Sequence, residues 1–325
     1  MPTCNLKRIT SRVRKFFVSL AVILLTRHAQ AETVWIDTDV SIGSPIREVD
    51  DAFALVLAFH SPEIRIGGLS TTYGNAPLGQ TTRAARDLVQ RFGRSAGLTV
   101  NEVFAGAGSA SDLGRRSEAS DAFAAMLKKQ KVTYVALGPL TNLATFLRLH
   151  PRLAHRIERV IFVGGGEPGA SFALGPNRSF HVHDANVFKD PAATGAVLRS
   201  NIPLTLVPIA ASSQLLVDGA DLRQLERSGD TGTYLSRQSG IWLWFWTHFV
   251  KTDGGPIFDA LAIIPVTRPE LLSIKKRYAK MDQAGNLAVT PRLTNGGRPV
   301  RYCTGFAPGT KGFVMQRLAA TRSRE

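Results

Sequence analysis

Short apolar runs alternating with helical stretches constrain this chain more than any other feature. Val34-Trp35-Ile36, Ile64 to Thr72, Val132 to Leu137, Val160 to Val163 and Leu204 to Ile209 read as strands. Between them, Ala52 to Phe59, Gln80 to Phe92, Thr141 to Leu149 and Asp190 to Leu198 read as helices. Ala84, Leu88 and Val89 share one face of the second helix, and Leu143, Phe146, Leu147 and Leu149 supply the apolar side of the third. Strands separated by helices cannot pair as hairpins, so they line up in parallel and are covered on both faces. The expected fold is α/β: a single domain with a central, mostly parallel sheet flanked by helices. No repeat, low-complexity tract or linker interrupts it.

The first strand runs directly into acid. Asp37-Thr38-Asp39 follows Ile36, and Asp50-Asp51 opens the next helix. In open α/β sheets, ligands bind beyond the carboxyl ends of the strands. Two like charges about 4 Å apart repel by about 4 kcal/mol at an effective dielectric near 20. Four carboxylates gathered there need a cation, and oxygen ligands suit a hard one such as Ca²⁺. A helix dipole alone accounts for Asp50 and Asp51 but not for the other two.

The first thirty-one residues belong to a different argument. Lys7, Arg8, Arg12, Arg14 and Lys15 form a basic head, Phe16 to Leu25 is apolar, and Ala29-Gln30-Ala31 supplies small residues for cleavage. This is the pattern of a secretory signal peptide cut after Ala31, with a periplasmic or secreted product that keeps no membrane anchor. The apolar run is too short to span a bilayer. Residues 1–31 hold six Lys/Arg and no acid, so the formal charge of +15 falls to +9 for residues 32–325. The remaining cations, such as Arg83, Arg86, Arg91 and Arg94, are scattered rather than grouped, which argues for a solvated surface and against a nucleic-acid groove. Cys303 is the single cysteine after residue 31, which excludes an internal disulfide there.

In order and spacing, a set of short motifs resembles the inosine–uridine-preferring nucleoside hydrolase family. They are Asp37-Thr38-Asp39, Asp50-Asp51-Ala52, Ser61-Pro62-Glu63, Thr71-Thr72-Tyr73-Gly74-Asn75, Leu137-Gly138-Pro139-Leu140-Thr141-Asn142-Leu143-Ala144, Asp184 to Pro191, and Asp259-Ala260-Leu261-Ala262. The resemblance runs from about Val34 to Leu318 and implies hydrolysis of a nucleoside to ribose and free base. It implies Ca²⁺ held by Asp39, Asp51, Asp259 and the backbone carbonyl of Leu137, with Asp37 behind them. Asp50 would take a proton from a metal-bound water that attacks the anomeric carbon. Asn186 and Asn75 would orient the ribose hydroxyls, with Asp184 and Asn177 near the 5′ end. The chemistry is coherent on its own terms. An oxocarbenium-like sugar is the usual route to breaking a glycosidic bond, a cation lowers the pKa of water, and a neighbouring carboxylate completes the deprotonation.

Two features depart from the family. The segment Val40 to Val49 is about seven residues longer than the usual loop and holds Pro45, Arg47 and Glu48, so it is expected to form a lobe at the mouth of the site. Phe258 stands immediately before Asp259, where the family generally has a histidine that helps protonate the leaving base. Phe cannot donate a proton. The candidate replacement is the stretch Ile241 to Phe249: on a helix Trp242, Trp246 and Phe249 share one face and Phe245 sits beside His248. Trp242, Trp246 and His248 would then contact the base, and stacking would favour purines, while the same aromatics could equally fill the core. His181 and His183 are further candidate acids.

Other readings are weaker. Gly164 to Gly169 matches GxGxxG after a strand, but Pro168 and the following Ser171 to Asn177 read as loop rather than as the helix a dinucleotide site requires. Asp37-Thr38-Asp39 also suits a haloacid-dehalogenase-like phosphatase, yet Ser41 stands where Thr or Val is expected. A non-catalytic nucleoside- or ribose-binding protein on the same fold is the alternative function. The preferred base and any homo-oligomeric state stay open.

Overall fold

The computed structural model describes residues 31–43, 47–169, 172–176 and 179–320. Residues 1–30 of the expected signal peptide, and Asn177, lie outside the described residues. Among those described, no helix is long and apolar enough to cross a membrane.

Among the described residues thirteen strands occur in the order β1 (Glu32–Thr38), β2 (Ile64–Thr71), β3 (Val103–Ala105), β4 (Val132–Ala136), β5 (Ile157–Val163), β6 (Phe172–Leu174), β7 (Phe180–Val182), β8 (Leu204–Val207), β9 (Leu216–Val217), β10 (Gly255–Pro256), β11 (Leu272–Met281), β12 (Leu287–Thr290) and β13 (Arg298–Phe306). Nine of them form the central sheet, ordered β12-β11-β13-β8-β5-β4-β1-β2-β3. Every pairing from β13 across to β3 is parallel. Only β11 runs against its neighbours β12 and β13. The mostly parallel sheet follows the expectation, while its antiparallel C-terminal edge had no counterpart in the sequence reading.

Alternation along the strands explains why both faces are covered. Val34 and Ile36, Val135, Ile161 and Val163 join one hydrophobic cluster. Trp35, Tyr134, Val160 and Phe162, one residue out of phase, join the other. Successive side chains point to opposite faces, so strands apolar at every position need a layer on each side.

Helix α1 (Asp50–Phe59) is buried along all ten residues. Its sequence is apolar all round after Asp51, so it lies within the core and not upon it. That placement carries its two N-terminal acids inward. Helix α2 (Leu78–Phe92) and helix α3 (Thr141–Leu149) lie close to the expected spans. The helix expected from Asp190 begins one residue later, as α4 (Pro191–Leu198), because Asp190 caps it: Ala193 N donates to Asp190 Oδ1 at 2.8 Å. Thr141 Oγ1 donates to the other oxygen at 2.6 Å, tying this cap to the start of α3.

Two local expectations are corrected. The stretch after Gly169 is not all loop: β6 pairs antiparallel with β7 in a hairpin. Among the described residues no helix opens directly after the glycines, and Gly166 instead bridges to Ala288. The aromatic stretch is also not one regular helix, since an α-turn (Gly240–Trp244) passes into a π-turn (Phe245–Val250). A π-turn advances less than 100° per residue. Phe249 therefore falls off the face shared by Trp242 and Trp246, is 67% exposed, and stacks on Phe245.

Candidate active site

The site forms where β1 and β4 end side by side. Asp37 is in register with Ala136, and Leu137 N donates to Asp37 O at 2.8 Å. Asp39 and Leu137 thus leave the same edge of the sheet, and Asp39 comes close enough to Asp51 on α1 for the two charges to repel. Close approach demands glycine on both sides of Asp39. A Cβ at Gly74 would lie 1.7 Å from Asp39 Oδ2, and one at Gly138 2.9 Å from Oδ1. Asn75 N donates to Asp39 Oδ2 at 2.7 Å.

Asp51 is held from two directions. Thr38 Oγ1 donates to its Oδ1, and Asn75 Nδ2 donates to Oδ2 at 3.0 Å. Carboxylate oxygens of Asp50, Asp51 and Asp259 all lie within 4.8 Å of one another, and all three residues are buried. This trio can hold a metal ion. Asp39 adds its charge to the same field, raising both Asp50 and Asp259. Burial first, then mutual repulsion, pushes Asp39, Asp50 and Asp259 well above the usual carboxylate range. Lys189 pulls Asp39 back down. Asp50 Oδ1 is buried without a hydrogen-bond partner.

Asp37 is fully buried at the end of β1. Its Oδ1 accepts from Ser70 Oγ at 2.6 Å and from Asn142 Nδ2 at 2.8 Å. Loss of water outweighs these bonds and pushes its carboxyl up to about 6. Asn142 also receives Ala107 N at 2.7 Å and donates to Thr71 O at 3.1 Å, so one side chain locks three strand ends together.

The structure brings Asn75 and Asn186 to the cluster. Asn186 Nδ2 donates to Leu137 O at 2.6 Å and to Val163 O at 3.1 Å. Asp184 is close by, but both of its oxygens are taken by backbone: Gly165 N at 2.6 Å and Val187 N at 3.1 Å. It caps the short helix Ala185–Lys189, which aims Asn186. His248 is not among the residues that line the aromatic cavity. It is exposed and stacks on Trp244, itself 57% exposed, at 5.6 Å.

Next to the acids lies a cavity of about 420 Å³, lined by Glu48, His181, His183, Trp242, Trp246 and Phe258 among others. None of the clustered aspartates lines it; Phe258 and Glu48 connect it to them through the chain. Trp242 and Trp246 are only 4% and 2% exposed, so they act as core residues whose edges form the cavity wall. Phe258 meets Trp246 edge-on at 6.0 Å.

Two participants escaped the sequence reading. The sequence marks Glu48 only as part of a lobe, yet its Oε2 accepts Trp242 Nε1 at 2.7 Å. The described ends of that lobe also tuck inward: Val40 and Ile42 are buried, and Arg47 Nη1 donates to Asn75 O at 2.6 Å. Lys189, the counter-charge to Asp39, had no motif signal beyond its neighbours.

The mostly parallel sheet and its flanking helices form a fold shared with solved nucleoside hydrolases. The fold resembles the plant nucleoside hydrolase PpNRh1 with a TM-score of 0.75 at 23% identity, over 89% of this chain and 99% of that one. It resembles the purine-preferring ribonucleoside hydrolase from Gardnerella vaginalis with a TM-score of 0.72 at 21% identity, over 89% of this chain and 98% of that one. In sequence, the chain is 28% identical over 281 residues to uridine nucleosidase 1 of Arabidopsis thaliana, covering 78% of this chain and 79% of that protein. It is 26% identical over 264 residues to the pyrimidine-specific ribonucleoside hydrolase RihA of Citrobacter koseri, covering 73% and 81%. The inosine-uridine preferring nucleoside hydrolase profile matches residues 34–307. The chain belongs to that family and is an enzyme of the nucleoside hydrolase class.

Proposed function

We propose that the protein hydrolyses the N-glycosidic bond of ribonucleosides in a Ca²⁺-dependent reaction and prefers purines. The observation that carries this reading is the buried carboxylate trio, with one orphaned Asp50 oxygen, beside an aromatic-walled cavity.

The residues suit a hard cation. Every side-chain donor is a carboxylate oxygen, and their mutual repulsion needs a positive partner. Asp39, Asp51, Asp259 and the Leu137 carbonyl would hold it; that carbonyl has a second lone pair besides the one taken by Asn186. When bound, the cation supplies a lowered pKa for water and an anchor for the ribose diol. Asp50, lacking any fixed partner at Oδ1, accepts the proton of the attacking water. Asn186 and Asn75 present amide groups to the sugar. Asp37 and Asn142 hold the strand ends in place and touch no substrate. The base enters the cavity against the edges of Trp242, Trp246 and Phe258.

Purine preference rests on that aromatic wall and on the basic N7 of a purine, which offers a site for protonation. The relatives include uridine- and pyrimidine-directed enzymes, so the test compares inosine with uridine directly. Inosine should be cleaved faster, and Phe258→His should raise kcat for inosine by about tenfold or more, as added general acid catalysis does. Uridine turnover equal to inosine turnover would remove the purine assignment.

Export is proposed on the basic head, the apolar run and Ala29-Gln30-Ala31. N-terminal sequencing of the protein from its native host should begin at Glu32. A full-length chain recovered from the cytoplasm would overturn this.

A further inference from the structure

We propose that Glu48 is the leaving-group acid of this enzyme, delivering a proton to the departing base across the cavity it shares with Phe258. The inference rests on the nucleoside-hydrolase reading and adds a residue that the family motifs do not supply.

Three observations carry it. Glu48 lines the cavity together with Phe258, the residue that cannot donate a proton. Its carboxyl turns inward, fixed by Trp242 Nε1 at 2.7 Å, an indole that is itself only 4% exposed. Its backbone is fixed too, since Ser41 Oγ donates to Glu48 O at 3.0 Å. Glu48 also lies two residues before Asp50 and raises it electrostatically, so acid and base sit at the two ends of one short segment. The charged or titratable groups around it are Arg47, His181 and His183 on the cavity wall and Asp50 and Asp51 on α1.

The step balances. The C1′–N bond breaks and its electron pair goes to the base. A proton passes from the Glu48 carboxyl to the purine ring nitrogen, so the base leaves neutral. Water oxygen bonds to C1′ and gives its proton to Asp50. Asp50 ends protonated and Glu48 ionised, and exchange with solvent returns both to their starting states.

A leaving group that needs no acid separates this role from a structural one. Wild type and Glu48→Gln are compared on inosine and on 4-nitrophenyl β-D-ribofuranoside, whose phenolate departs without protonation. Gln keeps an oxygen to accept from Trp242 Nε1, and circular dichroism and the melting temperature check the fold. Inosine kcat should fall about 10²-fold or more, while the nitrophenyl riboside rate should stay within about threefold. Equal loss on both substrates, or no loss on inosine, overturns the assignment. An inosine-only loss in His181→Asn or His183→Asn, with Glu48→Gln unaffected, gives the role to the hairpin and also overturns it. If wild type cleaves neither substrate, the hydrolase reading itself fails, which is a different outcome from failure of Glu48 alone.

Discussion

Asp50→Asn is expected to lower kcat for inosine by about 10²–10⁴-fold, the usual loss on removing a general base. Ca²⁺ affinity should change far less, because Asp39, Asp51, Asp259 and Leu137 O remain. The same substitution should stabilise the metal-free protein. Asp50 is buried, its Oδ1 is unpartnered, and burial, Glu48, Asp51 and Asp39 all disfavour its charge. Asparagine removes one like charge from the cluster without changing its size. Turnover, calcium titration and melting with chelator are measured on one variant. A fall in melting temperature alongside near wild-type kcat would place the base elsewhere.

Chelation is expected to abolish turnover and to change how stability depends on pH. A ligand bound only to the native state stabilises it by about 2.7 kcal/mol at a hundred times its dissociation constant. Without a cation, Asp37 is pushed up to about 6 and Asp39, Asp50 and Asp259 are pushed well above the usual range. Their unfolded values lie near about 3.9. Groups raised in the fold bind more protons there than when unfolded. Their stabilising contribution is complete below about pH 4 and is lost as pH rises through their folded values. The chelated protein should therefore melt at progressively lower temperature from about pH 4 through pH 6 and above. Saturating Ca²⁺ keeps the ligands ionised, so its gain in melting temperature should grow over the same window. Identical melting curves with EDTA and with Ca²⁺ at pH 5 and pH 8 would remove the cation from the account.

Elements with strong local signals were legible. Strand cores rich in apolar residues, such as Val160 to Val163, called for a sheet covered on both faces. Asp50-Asp51 before a helix apolar all round fixed where the acids would point. The C-terminal edge was not legible, because β11 shows alternating exposure with several charges and lacks the pattern of a buried parallel strand. The aromatic segment misled for another reason. Helical spacing was assumed, and the π-turn that moves Phe249 outward depends on what the chain packs against.

The sequence by itself determined the sheet class, the acids at the strand ends and the family, because each depends on residues close together in the chain. It also exposed the problem at Phe258, since a missing side chain needs no fold to be noticed. The resemblance already grouped Asp259 with Asp51, but only the tertiary structure set oxygens of Asp50, Asp51 and Asp259 within 4.8 Å of one another and put Glu48 against Trp242 across 194 positions of sequence. Neither pairing has a local signature. A carboxylate in water and one turned into an apolar cavity are the same letter in the sequence, and only burial changes its charge and its chemistry.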